Sequence, residues 1–551
     1  MVNTVDSTPQ TPTLDTLRHG RIMVAGAGVA GQGVIAMLGA LHRADGAQGS
    51  VVIVDDASPR ADLTVSQAIE LFAADSGGHG IALVITSPGW RPDSPLFAAA
   101  AAAGVPIIGD IEAAWVADRE GGFGPSKTWL AVTGTNGKTT TTAMLNQMCL
   151  ADGRSSAAVG NIGKPPGTAL AEDAPGRRTD VLAAEVSSFQ LHWAENFAPT
   201  AGCVLNLAED HLDWHGSFAG YAADKMVALR GEHAVLPADE AEVLAFALPG
   251  GGPAEWLAPR VHAFSTADPR VVLEGPVGQA ISLESVVGVA EGRLTEWRRR
   301  EGPTGTGGTD AEGAPEEGEG LAEAAGARWL RTDLAPAAGI SPAGPAGLAD
   351  AAAAAALARC IGVAPASIAE ALSTFRVQAH RGQVVARIHG VDWVDNSKAT
   401  NPHAARAALA GQRNVVWVAG GQLKGASVAE LIAEISPALR GAVVLGADRD
   451  DICADLNRLA PDVPVVRVDE TDPHRAMETV VRAAHDMSRA GDRVILAPAA
   501  ASLDMYTGMG QRGDLFAHYA NNLAAKDLAA EDRPQSQPHH NATTPTPRQK
   551  G

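Results

Sequence analysis

Cysteine is scarce in this chain and positive charge is outnumbered. Its four cysteines, Cys149, Cys203, Cys360 and Cys453, lie far apart among 551 residues and form no CxxC pair. That spacing argues against a disulfide framework and against a thiolate zinc site. Lys and Arg total 43 against 63 Asp and Glu, a formal charge of -20. Such a surface repels polyanions, so non-specific nucleic-acid binding and adsorption to anionic membranes are both disfavoured. No stretch approaches the ~20 unbroken apolar residues of a membrane span. The first 20 residues are polar and lack the apolar centre of a signal segment. The expectation is a soluble, reduced, cytoplasmic protein.

What is present is ample core material. Hydrophobic residues make up 46% of the chain, with 60 Gly and 34 Pro to turn it, and at ~150 residues per domain the length suggests three or four domains. Short β-type runs alternate with helical stretches at 22–25, 51–54, 81–85 and 105–108. They resume at 129–133, 181–185 and 203–206. A third series opens with an apparent hairpin, 384–388 and 391–394 turning at Gly390, and continues at 415–418, 442–445, 465–468 and 494–497. This alternation predicts α/β units with parallel sheets covered by helices. The expected boundaries are 19–122, 123–376 and 377–526. Residues 1–18 and the Pro/Gln/Thr/His-rich 527–551 are expected to be disordered, and the Gly/Glu/Ala-rich stretch 301–327 is expected to be a flexible acidic insertion.

Two glycine loops carry the first chemistry. Gly134-Thr135-Asn136-Gly137-Lys138-Thr139-Thr140 follows an apolar strand and opens an amphipathic helix. Backbone N–H groups at a helix start face an anion, Lys138 adds a point charge, and the Thr139 hydroxyl suits Mg²⁺. Val132 stands where the strict phosphate-loop pattern has its first glycine, yet the strand–loop–helix context points to ATP or GTP. The earlier loop, Gly26-Ala27-Gly28-Val29-Ala30-Gly31, also lies between strand and helix, with Asp55 and Asp56 ending the next strand. Its pattern fits a dinucleotide with Asp55 on a ribose hydroxyl, a single nucleotide diphosphate such as UDP, or a plain tight turn. A nicotinamide site beside a phosphate loop would be unusual, which favours UDP.

Acidic residues gather where α/β sheets keep their ligands, at the carboxyl ends of strands. Glu185 ends one strand, and Asn206-Leu207-Ala208-Glu209-Asp210-His211-Leu212-Asp213 ends the next, followed by a helix over 221–229 that carries Lys225. Singly, each is most often a solvated loop charge. Together beside the phosphate loop they suit Mg²⁺. A protonated Lys225 would repel that ion, so it points away or is modified.

Taken in order, 134–140, Gly160-Asn161-Ile162-Gly163, 185–191, 206–213, Asn396-Ser397-Lys398-Ala399-Thr400-Asn401-Pro402, Ser502-Leu503-Asp504-Met505-Tyr506 and Arg512-Gly513-Asp514 resemble the ATP-dependent Mur ligases of peptidoglycan assembly. The similarity spans about residues 20 to 525 apart from the acidic insertion, and Ser187-Ser188-Phe189-Gln190-Leu191 is similar to the D-glutamate-adding branch.

The resemblance implies a UDP-binding domain, a phosphate-loop ATP domain and an amino-acid-binding domain. It further implies ATP-dependent addition of D-glutamate to UDP-N-acetylmuramoyl-L-alanine by a monomer. It places Lys138 on the β/γ-phosphates, and Thr139, Glu185, His211 and a CO₂-carbamylated Lys225 around Mg²⁺, of which two ions are expected. Val29, Ala30, Asp55, Ser87, Asn161, Ser187 and His211 fall to the UDP-muramoyl substrate. Asp350, Arg381, Asp395, Asn396 and Lys398 join the loop at ATP, and Thr400, Lys424, Ser502 and Leu503 form the D-glutamate pocket. The chain departs from the family pattern at Asn396 (usually Asp, with Asp395 preceding it), Asp350 (usually Asn), Gln383 (commonly Glu) and Met509 (usually aromatic). Rival readings are a sibling ligase for another amino acid, an NAD-dependent oxidoreductase built on the first loop, and a non-enzymatic nucleotide switch.

Overall fold

The computed structural model describes residues 12–44, 48–73, 80–173, 176–300, 321–324, 327–376 and 379–531. They form two compact units that divide after Gln378. The first unit holds two sheets. One comprises β1 (Arg21–Ala25), β2 (Ser50–Val54), β3 (Ile81–Thr86) and β4 (Ile107–Gly109), all parallel in the order β2-β1-β3-β4. The other comprises β5 (Thr128–Thr133), β6 (Ser156–Gly160), β7 (Val181–Glu185), β8 (Ala201–Val204), β9 (His233–Pro237), β10 (Arg260–Phe264), β11 (Leu283–Ala290), β12 (Arg293–Arg299), β13 (Leu321–Ala324) and β14 (Ala327–Pro336). Its order is β13-β14-β12-β11-β10-β9-β8-β5-β7-β6. β5 to β11 run parallel, and β12 to β14 add an antiparallel edge.

The second unit has one sheet of β15 (Gln383–Ile388), β16 (Val391–Asp395), β17 (Val415–Gly420), β18 (Leu439–Leu445), β19 (Val465–Arg467) and β20 (Arg493–Leu496), ordered β15-β16-β20-β17-β18-β19. The expected hairpin is there: β15 and β16 are antiparallel, and Gly390 turns with φ 77. The central strands read as unbroken apolar runs because helices cover both faces. Every residue of β17 is buried. The alanine-rich helix Pro345–Cys360 buries Ala351 to Ala358 against β8, β10, β11 and the helix Lys138–Ala151. Small side chains allow that close approach.

Three expectations of disorder are corrected at their edges. Within 1–18, residues Leu14–His19 form a helix capped by Thr13, because Leu14 and Leu17 are spaced to bury together and do so. Of 301–327, residues Leu321–Ala324 pair with β14, which gives their backbone groups ladder partners. Of 527–551, residues through Glu531 continue the helix that begins at Met509. Residues 1–11, 301–320, 325–326 and 532–551 lie outside the described residues.

Within the first unit, the end of β4 is stitched to the segment after β7. Gly109 N–H donates to the Trp193 carbonyl at 2.7 Å, and Gln190 donates to Asp110 Oδ2 at 3.1 Å. Burial pushes the Asp110 carboxyl up to about 6, with the Gln190 bond opposing it. The folded state therefore prefers the protonated acid. Its stability falls as pH rises from the unfolded value of 3.8 towards 6, and the full cost applies above that. Asp110→Asn should stabilise the first unit at pH 7.5 by about 2–3 kcal/mol, and the gain should vanish below about pH 4. Urea unfolding across pH checks this; an equal effect at both ends would assign it to packing instead.

Candidate active site

Four neighbouring parallel strands, β8, β5, β7 and β6, end at the same edge of the second sheet. Each delivers one element of the site. β5 leads into the phosphate loop, and the helix Lys138–Ala151 starts at its far side. Gly137, the residue before that helix, has φ 83, and an added Cβ would sit 2.3 Å from Asp350 Oδ1. Left-handed backbone and close approach both call for glycine here. Asp350 also accepts from the Thr141 hydroxyl at 3.2 Å, which brings a residue from a distant helix to the loop.

The loop is laced to the segment after β8. Thr135 N–H donates to the Asn206 carbonyl at 3.0 Å, Asn136 N–H donates to Asn206 Oδ1 at 2.8 Å, and Ala208 N–H donates to Thr135 Oγ1 at 2.9 Å. Thr135 Oγ1 also meets the Tyr221 hydroxyl at 2.9 Å. Lys138 Nζ folds back onto its own loop, donating to the Gly134 and Thr135 carbonyls at 2.8 Å each. Thr139 and Thr140 are buried beneath it.

Glu185 ends β7 with 2% exposure. Asn161, which follows β6, donates from Nδ2 to Glu185 Oε1 at 2.9 Å, while Oε2 is buried with no hydrogen-bond partner among the described residues. Ser187 caps the next short helix in a reciprocal box with Gln190, so its hydroxyl holds backbone. His211 takes a left-handed conformation, φ 54, with its ring against Phe189 at 4.8 Å and 3.6 Å from Asp210 Oδ1. Lys225 is 2% exposed and reaches under the loop, donating to the Gly134 carbonyl at 2.9 Å and to the Thr133 hydroxyl at 3.3 Å. Burial first, and the Lys138 charge second, hold this lysine well below its ordinary range.

The first glycine loop lies at the carboxyl edge of the four-stranded sheet. Gly31 has no room for a side chain, since a Cβ would come 1.8 Å from the Gly26 carbonyl. Asp55 accepts from Ala27 N–H at 2.8 Å, and from Ala57 and Ser58 N–H at 2.8 and 3.0 Å, which keeps its carboxyl below the usual range. Its oxygens thus shape the loop. Val29 and Ala30 open the following helix, and Ser87 donates to the Gly26 carbonyl at 3.2 Å. A cavity of about 660 Å³ opens here, lined by Gly26, Gly28 and Ser87 and also by Trp90 and Arg91. No sequence motif marks those last two. Their place just after β3, at the ligand edge, is the clue that could have found them.

In the second unit, Gln422 and Ala501 exchange backbone hydrogen bonds of 2.8 and 2.9 Å, clipping the Lys424 loop to the Ser502 loop. Lys424 is exposed with φ 54. Ser502 does not start a helix. It opens a turn whose carbonyl accepts from Met505 and Tyr506 N–H, and the helix begins only at Met509. Asp504 reaches away to Ala447 N–H at 2.8 Å, which fixes the turn to the tip of β18. Leu503 is 68% exposed and Thr400 is half-buried.

Asp395 is buried; one oxygen accepts from Ser397 N–H at 2.9 Å and the other lies 2.6 Å from His380 Nδ1. Asn396, Lys398 and Arg381 flank that pair, and Lys398 N–H donates to the His380 carbonyl at 3.2 Å. The organising residue is Arg512, to which sequence reasoning gave no role. Fully buried, it donates to Ser397 Oγ and carbonyl, to Gly420 and to Ala500 at 2.9–3.2 Å. It thereby joins the carboxyl ends of β16, β17 and β20.

Two family models match: the Mur ligase middle domain over residues 132–247, and the Mur ligase glutamate ligase domain over 380–500. A UDP-N-acetylmuramoylalanine--D-glutamate ligase of Corynebacterium jeikeium is 54% identical, over 94% of this chain and 96% of its own length. The chain belongs to the Mur ligase family. Relatives of the same name from Corynebacterium efficiens and Mycolicibacterium smegmatis are 46% and 41% identical, over 91% and 93% of this chain and 94% and 98% of theirs. In this Mur ligase the middle-domain match begins on β5 and takes in the phosphate loop, Glu185, His211 and Lys225.

The glycine before Lys138 yields a direct check. Gly137→Ala forces a side chain into left-handed backbone, at a cost of about 1–2 kcal/mol, and pushes on Asp350. The Michaelis constant for ATP should rise about tenfold or more while that for the amino acid changes little. Unchanged ATP saturation would remove this loop as the nucleotide site.

Proposed function

We propose that this Mur ligase adds D-glutamate to UDP-N-acetylmuramoyl-L-alanine, with ATP converted to ADP and phosphate through an acyl-phosphate intermediate. The observation that carries the reading is the near full-length similarity, at 41–54% identity, to relatives named for that reaction. The first unit's geometry supports it.

A carboxylate resists attack by an amine until one oxygen becomes part of a good leaving group. In the first step an alanyl carboxylate oxygen bonds to the γ-phosphorus and ADP departs. In the second, the amine nitrogen of D-glutamate attacks the carbonyl carbon, giving a tetrahedral intermediate that expels phosphate and loses a proton. Little covalent help is needed from the protein; positioning and charge neutralisation are. Lys138 supplies charge by exchanging its loop carbonyls for β/γ-phosphate oxygens, and the helix start behind it favours negative charge. Gly134 to Thr140 cradle the phosphates by their backbone.

The residues fit a divalent cation. Glu185 Oε2 is a buried carboxylate oxygen without a partner among the described residues, and burial leaves an unpaired anion costly. Thr139, Glu185, His211 and Lys225 as its carbamate would hold Mg²⁺, which when bound neutralises phosphate charge. Lys225 suits carbamylation because only the neutral amine adds CO₂, forming an N–C bond and releasing a proton. Its burial beside Lys138 biases it to that form. The first cavity is assigned to uridine diphosphate, with Trp90 to stack on the base, Arg91 for phosphate oxygens, and the helix start at Val29 and Ala30 for the diphosphate. Lys424, Ser502, Thr400 and Leu503 serve D-glutamate in the second unit.

A phosphate-release assay with single omissions tests the whole reading. Release should require the muramoyl nucleotide, ATP, D-glutamate and Mg²⁺ together; substantial ATP hydrolysis without either acceptor would overturn it, and activity with L-alanine or a diamino acid in place of D-glutamate would favour a sibling ligase.

The carbamate has its own test. Lys225→Ala should lose at least about a hundredfold in turnover, close to 3 kcal/mol, and formate or acetate should restore part of it by supplying oxygen ligands. Wild-type activity in Lys225→Arg would show that no anion is needed there.

A further inference from the structure

Next to Lys225 in sequence, Asp224 turns to a different set of groups. Its Oδ2 lies 2.8 Å from Nδ1 of His215 and 3.1 Å from Nδ1 of His192, and its Oδ1 lies 3.2 Å from the same His192 atom. The three donor atoms all fall within 4.8 Å of one another. They arrive on three short helices, Ser188–His192, Leu212–His215 and Phe218–Met226. None of the three residues has a part in the ligase chemistry above.

Two imidazoles and one carboxylate are a poor donor set for Mg²⁺, which takes oxygen, and a good one for borderline transition metals. Zn²⁺ with bonds of ~2.0–2.1 Å spaces tetrahedral donors roughly 3.3 Å apart, close to the 3.1 and 2.8 Å between Asp224 and the two rings. The surroundings also match. His215 Nε2 lies 3.0 Å from Ser188 Oγ, the outer hydrogen bond that fixes ring orientation in metal-bound histidines. Trp214 packs on both rings, at 4.4 Å from His215 and 5.0 Å from His192, and Phe189 stacks on His215 at 5.5 Å. The His215 side chain is fully buried, whereas those of His192 and Asp224 are 31% and 20% exposed. That opening gives an ion a path in and solvent a place to complete its coordination.

We propose that His192, His215 and Asp224 form a transition-metal site that selects Zn²⁺ over Mg²⁺ and is distinct from the nucleotide's cation. An ion there replaces the imidazole N–H to carboxylate contacts by three bonds and ties together the three helices that carry Ser188, the segment after His211, and Lys225.

The test is calorimetric titration of the chelator-stripped full-length protein with ZnCl₂, without nucleotide or Mg²⁺, paralleled by visible absorption with CoCl₂. One equivalent should bind, Co²⁺ should show the bands of a four- or five-coordinate site, and excess Mg²⁺ should not displace either ion. His192→Ala and Asp224→Asn should weaken binding at least a hundredfold, and Ser188→Ala about tenfold, each with its helical circular dichroism retained. Should Asp224→Asn not fold, His192→Ala and His192→Gln, at a partly exposed position, decide alone. Absence of one-equivalent binding would overturn the proposal and leave a carboxylate accepting two imidazole N–H groups. Binding unchanged in the His192 variants would overturn it too, as would a thiolate-to-cobalt band, which would assign the metal to the buried group of His233, His262 and Cys360.

Discussion

A lysine buried beneath the phosphate loop sets the terms for the first unit. Lys225 makes hydrogen bonds to the Gly134 carbonyl and the Thr133 hydroxyl, the first residue of the loop and the last of β5. Its own helix adds the Tyr221 hydroxyl on Thr135. One short helix therefore supports the underside of the anion cradle from two positions a turn apart. Because the amine is buried beside another cation, holding its charge is costly, and the proposed carbamate at this residue draws on that cost. Structure and chemistry meet at a single nitrogen.

The second unit solves a related problem with a guanidinium. Arg512 is buried among three carbonyls and a serine hydroxyl, none of these partners a carboxylate, and burial pushes it down to about 10. Parallel strands end in carbonyls that nothing in the sheet satisfies. One planar cation with several fixed donors gathers the ends of three strands, and a lysine could not reproduce that fork. The loops bearing Ser397 and Ser502 inherit their positions from it.

Much of this was legible beforehand. The strands that precede each motif were visible because they are short apolar runs, and the ordered motifs carried the family. β9 to β14 were not read, since no motif marks them and their register depends on neighbours far away in sequence. The helix at Leu14–His19 was hidden by a polar context that outweighed two well-spaced leucines. Asp350 could be named from resemblance, but its approach to Gly137 belongs to packing between distant helices. The turn at Ser502 depends on a partner far away in sequence, since Asp504 within it accepts from Ala447 N–H. Arg512 stood in a motif, but its role was not legible there, because it acts through contacts with Ser397, Gly420 and Ala500 across the fold.

The back-folded Lys138 has a consequence for selectivity. The two loop carbonyls it binds are tethered competitors, present at the high effective concentration of an intramolecular partner. An incoming ligand must displace them before it gains the lysine. A neutral carbonyl concedes readily to a doubly charged phosphate oxygen, since a charge-assisted bond is roughly twice as strong, but it holds its own against a neutral or singly charged group. Under the proposed assignment the loop acts as its own filter: weak anions gain little by entering, and a full polyphosphate chain is what releases the lysine.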